Sequence, residues 1–376
     1  MTFMWNALRG ASLAGLIALA ACGEPETEVA ETETMETETE VMAEPADGPA
    51  PEFDIGWSIY AGWMPWPYAE QEGIIDKWAE KYGIVINMVQ VNDYIESLNQ
   101  YTAGTLDGVT STNMDALTIP AAGGRDTTVL IMGDYSNGND GIVLKEGDSI
   151  ADLDGQTVNL VELSVSHYLL ARALEMADMT MPQVSTVNTS DADMVGAWQT
   201  PEVTAVVTWN PPLSEILAMD DGTEVFDSSQ IPNEIQDLMV VSTETLAENP
   251  ELGMALVGAW YETMGVITGD MEEEATAAMA SIAGTTPDSF AGQLATTYLY
   301  TDPAAAVAYV TSPDLIEHSD LVRQFSFDQG LYGPGADSVD AIGMEFPGGE
   351  TLGDTGNIQL RFDSTYMQMA ADGSLE

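Results

Sequence analysis

The sequence is poor in positive charge, cysteine and histidine. Its 376 residues include 8 Lys and Arg against 62 Asp and Glu, which gives a formal net charge of −54. Nucleic acid is therefore excluded as a partner, because phosphate binding needs Lys and Arg clustered on one face. One cysteine excludes a disulfide framework and any multi-cysteine metal site, and two histidines argue against a histidine-rich one. We predict no metal site and no cofactor.

The short motifs of nucleotide-binding proteins and common hydrolases are also missing. The chain contains no G-x-x-x-x-G-K-[ST], no G-x-G-x-x-G after a strand, no H-E-x-x-H and no G-x-S-x-G. Its only cysteine is residue 22, which leaves no cysteine nucleophile for the folded part. A Ser-His-Asp triad could use only His167 or His318, and neither has a supporting local pattern. These absences favour a binding protein over an enzyme.

Residues 1–22 predict a lipoprotein signal peptide. Arg9 precedes an apolar stretch over 11–21 that is too short to span a membrane. The stretch ends in Leu-Ala-Ala-Cys22, which resembles the lipobox of bacterial lipoproteins, where the cysteine becomes the lipidated N-terminus. An ordinary signal peptide that happens to contain Cys22 is the alternative. A lipobox implies an extracytoplasmic, periplasmic-type protein that is held to the membrane by its lipid alone.

Residues 23–52 predict a disordered acidic tether. They are rich in Glu, Thr and Pro and contain no Lys or Arg, so they cannot bury enough apolar area to offset chain entropy. The folded part is also strongly acidic. This acidity either attracts cations or is an adaptation to saline surroundings, and we favour the second interpretation. Net charge alone therefore says little about the ligand.

From residue 53 onward, short apolar runs alternate with amphipathic helices, which indicates an α/β fold with a largely parallel sheet. Turn-forming residues at 137–141 predict a first crossing between two lobes, and 231–237 predicts the return. Lobe 1 would comprise 53–140 and 238–376, and lobe 2 would comprise 141–237. Two lobes of this kind form a clamp that holds a ligand at the carboxyl ends of strands facing the cleft.

Segments at the ends of predicted strands supply the candidate ligand-binding residues. Aromatic rings beside proline, carboxylates, amides and a helix N-terminus are the groups expected in such a cleft. Core packing or helix capping is the alternative role for each of them. Of the two tryptophans nearest the first strand, we expect one in the cleft and one in the core. The candidates are Trp63, Trp66, Asn113, Asp115, Asp134, Glu162, Ser164, His167, Trp209 and Asn210.

The order and spacing of several segments resemble solute-binding proteins of nitrate/sulfonate/taurine-type ABC transporters. The resemblance covers about residues 54–370. The segments that carry it are 152–158, 164–170, 197–199 and 207–211. Within that family, three further segments resemble a urea-binding subgroup associated with urea carboxylase, an enzyme type for which guanidine is the favoured substrate. They are 112–117, 136–141 and 360–369.

This resemblance implies a two-lobed type II periplasmic-binding-protein fold with two interlobe crossings. It implies a monomer that captures a small nitrogen compound, guanidine or urea, and delivers it to a membrane permease powered by a separate ATPase. One alternative is a sulfonate- or nitrate-type anion as ligand. Another is an enzyme on the same fold, such as a synthase of a thiamine precursor. A third is a lipoprotein with a structural role, which would not need a cleft that closes on a ligand.

Overall fold

The computed structural model describes residues 48–375. The predicted signal peptide with Cys22, and all but the last few residues of the predicted tether, lie outside this part of the chain. Within it, none of the helices combines the length and the apolar character that crossing a lipid bilayer requires.

The described residues form a mixed α/β fold with two sheets, as the alternating sequence pattern predicts. The strands are β1 (Glu52–Trp57), β2 (Val85–Gln90), β3 (Gly108–Thr112), β4 (Thr127–Ser136), β5 (Asp140–Leu144), β6 (Thr157–Leu160), β7 (Ser185–Asn188), β8 (Ala205–Trp209), β9 (Thr223–Asp227), β10 (Gln236–Ser242), β11 (Thr297–Leu299), β12 (Gly343–Glu345), β13 (Thr351–Leu352) and β14 (Ile358–Phe362).

Helices cover the faces of both sheets. They are α1 (Pro65–Gln71), α2 (Ile74–Tyr82), α3 (Tyr94–Thr102), α4 (Asn113–Ala116), α5 (Val165–Met176), α6 (Asp191–Trp198), α7 (Pro212–Leu217), α8 (Thr243–Glu248), α9 (Pro250–Ile267), α10 (Glu272–Ile282), α11 (Pro287–Leu294), α12 (Pro303–Val310), α13 (Pro313–Asp328) and α14 (Thr365–Ala371). The sequence predicts one helix over 243–267, but the structure divides it at Asn249. Pro250 lacks an N–H to continue the first helix and begins the second.

The first sheet has the strand order β13-β12-β14-β4-β10-β3-β1-β2, with β11 beside β4. Strands β1, β2 and β3 pair in parallel, whereas β10 is antiparallel to both of its neighbours, β3 and β4. The second sheet has the order β7-β6-β8-β5-β9. The chain leaves the first sheet after β4, builds the whole second sheet, and returns in β10. This return accounts for the reversed direction of β10.

Two short connections join the sheets. Residues 137–139 lead from β4 to β5, and residues 228–235 lead from β9 to β10. The Ser228 hydroxyl links the two connections, because it lies 2.7 Å from Ser136 Oγ and accepts the Gly138 N–H at 2.8 Å. Gly138 has a φ of 102°, a left-handed conformation that favours glycine.

Capping residues place the first elements at the edge that faces the second sheet. Asp93 accepts a hydrogen bond from the Glu96 N–H at 2.9 Å and begins α3 directly after β2. Thr112 accepts one from the Asp115 N–H at 3.2 Å and begins α4 directly after β3. The polar residues that follow β2 and β3 are therefore fixed at the carboxyl ends of these strands.

Candidate ligand-binding site

A small cavity lies between the two sheets. Its volume is about 20 Å³, slightly more than one water molecule needs. Residues from both sheets and from one connection line it. They are Ser58, Tyr60, Trp63, Tyr94, Thr112 and Asp237 on the side of the first sheet, Asp140, Val165 and Trp209 on the side of the second, and Ile235 in the connection.

Four aromatic rings form a continuous row along the cavity. The ring centroids of Tyr60 and Trp63 are 5.0 Å apart, those of Trp63 and Tyr94 are 5.4 Å apart, and those of Tyr94 and Trp209 are 6.1 Å apart. Tyr60 and Trp63 follow β1, Tyr94 begins α3, and Trp209 ends β8, so the row extends from the first sheet to the second. The negative faces of such rings attract a cation.

Two buried carboxylates, Asp140 and Asp237, line the cavity, and a third, Asp134, lies beside it. Asp134 on β4 is the cross-strand partner of Asp237 on β10, and Asp140 opens β5 on the second sheet. The Tyr60 hydroxyl donates to Asp134 Oδ1 at 3.0 Å, and the Ser136 hydroxyl donates to Asp140 Oδ2 at 2.5 Å. The second oxygen of Asp134 is buried without a hydrogen-bond partner. An unpaired buried carboxylate is costly, so protonation of the Asp134–Asp237 pair is favoured.

Burial raises the pKa of each of these acids. It raises the pKa of Asp140 to about 6, in spite of the hydrogen bond from Ser136. Burial raises the pKa of Asp134, hydrogen bonds with Asp237 and Tyr60 lower it, and the charge of Asp140 raises it. Burial and then the charges of Asp134 and Asp140 raise the pKa of Asp237. Burial also raises the pKa of Tyr60 well above its usual value, so its hydroxyl remains a donor.

Positive side chains lie elsewhere. Among residues 48–375, no Lys or Arg forms an ion pair with any of the buried carboxylates at the cavity. The ion pairs found there involve Lys77, Arg172, Arg323 and Arg361, each with another acid. The same part of the chain contains no group of three or more His, Cys, Asp or Glu residues placed to hold a metal ion. The cavity is therefore lined by acidic and aromatic side chains, and no Lys or Arg of the described residues lines it.

A fourth carboxylate, Asp115, lies behind the cavity wall. The hydroxyls of Tyr94 and Thr112 each donate to its Oδ2 at 2.9 Å, and its Oδ1 is buried without a hydrogen-bond partner. Burial raises the pKa of Asp115 to about 7, while these hydroxyls and the backbone N–H of Val165 lower it. Tyr94 and Thr112 thus line the cavity and also donate their hydroxyl groups to Asp115.

The structure brings four of the sequence-predicted residues to this place. Trp63 and Trp209 line the cavity, and Asp115 and Asp134 are fully buried directly beside it. Trp66 lies in the core instead, with its ring centroid 4.9 Å from that of Trp260. Of the two tryptophans, the structure therefore places one at the cavity and one in the core.

The two predicted asparagines stabilise the junction of the sheets. Asn113 donates to the Glu234 carbonyl at 3.0 Å, which fixes α4 to the second connection. The Asn210 backbone N–H donates to Asn139 Oδ1 at 3.1 Å, and its side chain donates to Thr296 Oγ1 at 3.2 Å. Neither side chain lines the cavity.

The segment at the start of α5 contributes a residue that was not among the candidates. Ser164 caps the helix by accepting from the Ser166 N–H at 3.2 Å, and His167 packs edge-on against Phe325. Glu162 is half-buried and accepts a hydrogen bond from Thr186. The cavity is lined here by Val165 alone. Burial lowers the pKa of His167.

Sequence reasoning missed Tyr60, Tyr94, Asp140 and Asp237 as site residues. Asp140 stands in a run of turn formers, and Asp237 stands at the predicted return crossing. Their positions therefore favour a role in a turn or in a crossing between the lobes, and not a role in ligand binding. The available signal was an acidic residue directly against a buried apolar run, as in Asp237-Leu-Met-Val-Val. An acid in that position is buried and needs a partner.

A sequence profile described as NMT1/THI5 like matches residues 80–273, slightly more than half of the chain. The chain belongs to this family. No curated protein sequence matches it significantly.

Solved structures share its fold at low identity. The alkanesulfonate-binding protein SsuA from Xanthomonas axonopodis pv. citri, bound to MOPS, matches with a TM-score of 0.64 and 16% identity over 76% of this chain and 96% of that one. The periplasmic nitrate-binding protein NrtA from Synechocystis PCC 6803 matches with a TM-score of 0.55 and 14% identity over 87% and 99%. The desulfurization enzyme DSZB matches with a TM-score of 0.54 and 15% identity over 75% and 93%.

At these identities the likeness shows the fold alone. The two sheets and two connections of this family member form the type II periplasmic-binding-protein fold that the sequence predicts. An enzyme shares this fold with binding proteins, so the fold does not decide between binding and catalysis.

Proposed function

We propose that this chain is the solute-binding component of an ABC importer and that its ligand is a small, planar, nitrogen-rich cation, with guanidinium preferred over urea. In this proposal the ligand lies in the cavity between the sheets and passes to a permease powered by a separate ATPase. The protein acts as an extracytoplasmic monomer anchored by a lipid on Cys22. The urea-binding subgroup resemblance supports the small nitrogen compound as ligand.

One observation supports a cation above all others. Asp140 and Asp237 line one cavity from opposite sheets, and no Lys or Arg of the described residues pairs with them. A buried carboxylate is stable only when it is paired or protonated. A cation between these two acids would supply the missing partner and would hold the sheets together.

The expected energies favour guanidinium over urea. A planar cation over an indole face gains about 2 kcal/mol when desolvated. A hydrogen bond from that cation to a carboxylate contributes roughly 1.5–3 kcal/mol. Urea has the same shape and no charge, so it loses most of the carboxylate contribution. We expect it to bind roughly tenfold or more weakly, at about 1.4 kcal/mol per tenfold change.

An anion is the second candidate, because SsuA and NrtA are described as sulfonate- and nitrate-binding proteins. The first residue of α5, Val165, also lines the cavity, and a helix N-terminus favours negative charge. Against an anion stand the carboxylates and the lack of a positive side chain at the cavity.

Isothermal titration calorimetry with guanidinium, urea, nitrate and taurine tests the proposal. We expect guanidinium to bind one-to-one, urea to bind more weakly, and the two anions not to bind. Tight binding of nitrate or taurine, with none of guanidinium or urea, would overturn it. If product analysis after the titration shows that any of these compounds has been converted, the result would instead support an enzyme.

A further inference from the structure

Two serines surround the Asp140 carboxylate at the cavity. Ser136 ends β4 on the first sheet and Asp140 opens β5 on the second, so a bond between them spans the first connection. The Ser136 hydroxyl donates to Asp140 Oδ2 at 2.5 Å, and its oxygen accepts the Asp140 backbone N–H at 3.2 Å. Ser228 in the second connection lies 2.7 Å from the Ser136 oxygen. All three residues are buried.

The number of protons fixes the direction of these hydrogen bonds. A serine hydroxyl has one proton to donate, and an ionised carboxylate can only accept. Because Ser136 donates its proton to Asp140, Ser228 must donate to the Ser136 oxygen. The Ser228 oxygen in turn accepts the Gly138 N–H at 2.8 Å. In the opposite direction the Ser228 proton would have no acceptor among residues 48–375, so the donors of this chain point toward Asp140.

The serines hold one of the two oxygens of Asp140. Among the hydrogen bonds of the described residues, those of the Asp140 side chain involve Oδ2 alone. Because Asp140 lines the cavity, Oδ1 is the oxygen left for a ligand. A carboxylate with one oxygen fixed presents the other in a fixed direction, which lowers the cost of ordering it on binding.

We propose that Ser136 is a positioning residue of the ligand-binding site and that Ser228 directs its hydroxyl. Neither serine lines the cavity, so both act through Asp140. Together they oppose protonation of Asp140 and aim its Oδ1 at the ligand. The inference rests on the proposed function in one respect, that Asp140 pairs with a cation. The action of the serines on Asp140 is tested without any ligand.

The other titratable groups around Asp140 add no positive charge. They are Tyr60 after β1, Asp115 on α4, Asp134 on β4 and Asp237 on β10. Within residues 48–375, no Lys or Arg forms an ion pair with Asp140. Burial raises the pKa of Asp140 to about 6, and the Ser136 hydroxyl opposes this rise. Loss of that hydroxyl should therefore raise the pKa of Asp140 further.

The test titrates the Asp140 carboxyl directly in the ligand-free full chain. Its carboxyl carbon resonance is assigned with Asp140→Asn and followed by NMR across the pH range in the unchanged protein, Ser136→Ala and Ser228→Ala. Ser326→Ala is the matched control. Ser326 is also fully buried, but its hydroxyl donates to the Val322 carbonyl of its own helix at 2.7 Å.

We expect Ser136→Ala to raise the pKa of Asp140 by roughly one pH unit, the equivalent of one hydrogen bond to a charged group. Ser228→Ala should raise it by less, because the Ser136 hydroxyl remains but loses the donor that polarises it. Ser326→Ala should leave it unchanged. A merely structural role would lower stability without moving this pKa. If an alanine variant does not fold, the cysteine variant at the same position decides, because a thiol is a weaker donor.

An unchanged pKa of Asp140 in Ser136→Ala would overturn the inference, and an unchanged value in Ser228→Ala would overturn the directing role of Ser228. Guanidinium titrations of the same variants then test the positioning. Since the cation pairs with the ionised carboxylate, the pH at which affinity declines should move up in Ser136→Ala by the same interval as the pKa. An unmoved pH profile would contradict the positioning role. Absence of guanidinium binding by the unchanged protein would reject the proposed function, while the carboxyl titration would still decide how the serines act on Asp140.

Discussion

Asp134 stands directly opposite Asp237 across the antiparallel pair of β4 and β10, and both carboxyl groups are buried. Two carboxylates in contact cannot both ionise easily, so the pair retains a proton above the usual range for aspartate. Tyr60 and Asp140 are the other titratable groups that face this pair. Tyr60 remains neutral, and Asp140 adds to the repulsion.

The first prediction concerns the pH dependence of stability. The folded-state pKa values of Asp134 and Asp237 lie above the unfolded-state value of 3.8. The folded protein therefore holds more protons than the unfolded chain above this value, and its free energy of unfolding falls as the pH rises through the raised pKa values. Denaturant unfolding of the ligand-free protein at pH 5 and pH 8 measures this loss. Asp237→Asn should reduce it, and an unchanged slope would contradict the shared proton.

The second prediction concerns the affinity for guanidinium. Protonated carboxyl groups cannot pair with a cation, so binding should release a proton and tighten as the pH rises, by up to about tenfold per pH unit near the raised pKa values. Calorimetry in two buffers with different ionisation enthalpies counts the protons released. A cation that binds equally well at pH 5 and pH 8 would mean that these acids do not contact it.

The third prediction concerns Asp140. Asp140→Asn keeps the shape of the side chain and removes its charge, so it should weaken guanidinium binding roughly tenfold or more while changing urea binding much less. Asp270→Asn is the control, because Asp270 is exposed and does not line the cavity. Equal losses for guanidinium and urea would show that Asp140 acts through shape and not through charge.

The fourth prediction contrasts two tryptophans. Trp66→Ala should lower the free energy of unfolding by about 3–5 kcal/mol, because Trp66 is buried against Trp260 in the core of the first sheet. Trp209→Ala should instead reduce ligand affinity, by roughly tenfold or more, because its ring closes the aromatic row at the cavity. Denaturant unfolding and calorimetry on both variants separate the two effects. An affinity loss in Trp66→Ala larger than that in Trp209→Ala would reverse the assignment.

The fifth prediction concerns Cys22, which lies outside the described residues. Cys22→Ser should leave an uncleaved or mislocalised precursor, because lipidation and cleavage both need the thiol. Membrane fractionation and mass spectrometry of the N-terminus check this. Normal release from the membrane by the unchanged protein would point to an ordinary signal peptide.

The sequence predicts the architecture better than it predicts the site. Alternating apolar runs and helices suffice for a two-sheet α/β fold, because each element carries its own periodicity and caps. Strand β5 and every strand from β9 to β14 escape this approach, because the sequence after residue 237 predicts helices and a glycine-rich loop. Strand β5 follows the turn formers at 137–139 so closely that the two merge into one predicted loop. Helix α13, over Pro313–Asp328, is equally inconspicuous, because its apolar residues are mixed with charged ones.

The cavity depends on contacts that no local pattern specifies. Trp63 and Trp209 are separated by nearly half of the folded part, and they belong to one aromatic row only because Tyr94 lies between them. The contact between Asp134 and Asp237 likewise follows from β10 returning beside β4. The sequence identifies residues at strand ends as candidates for the site. The order of the strands in the sheets then determines which of these residues come into contact.

The Ser228 hydroxyl, which contacts both connections, restricts how the sheets can move. Two bodies joined by one flexible strand can swing and twist in any direction. Two bodies joined at two separate places rotate most easily about the line through both places, and the Ser228 hydrogen bonds keep these two places together. The opening that admits a ligand is therefore expected to be a one-axis rotation, in which Asp140 and Asp237 separate along an arc and return to the same register each time.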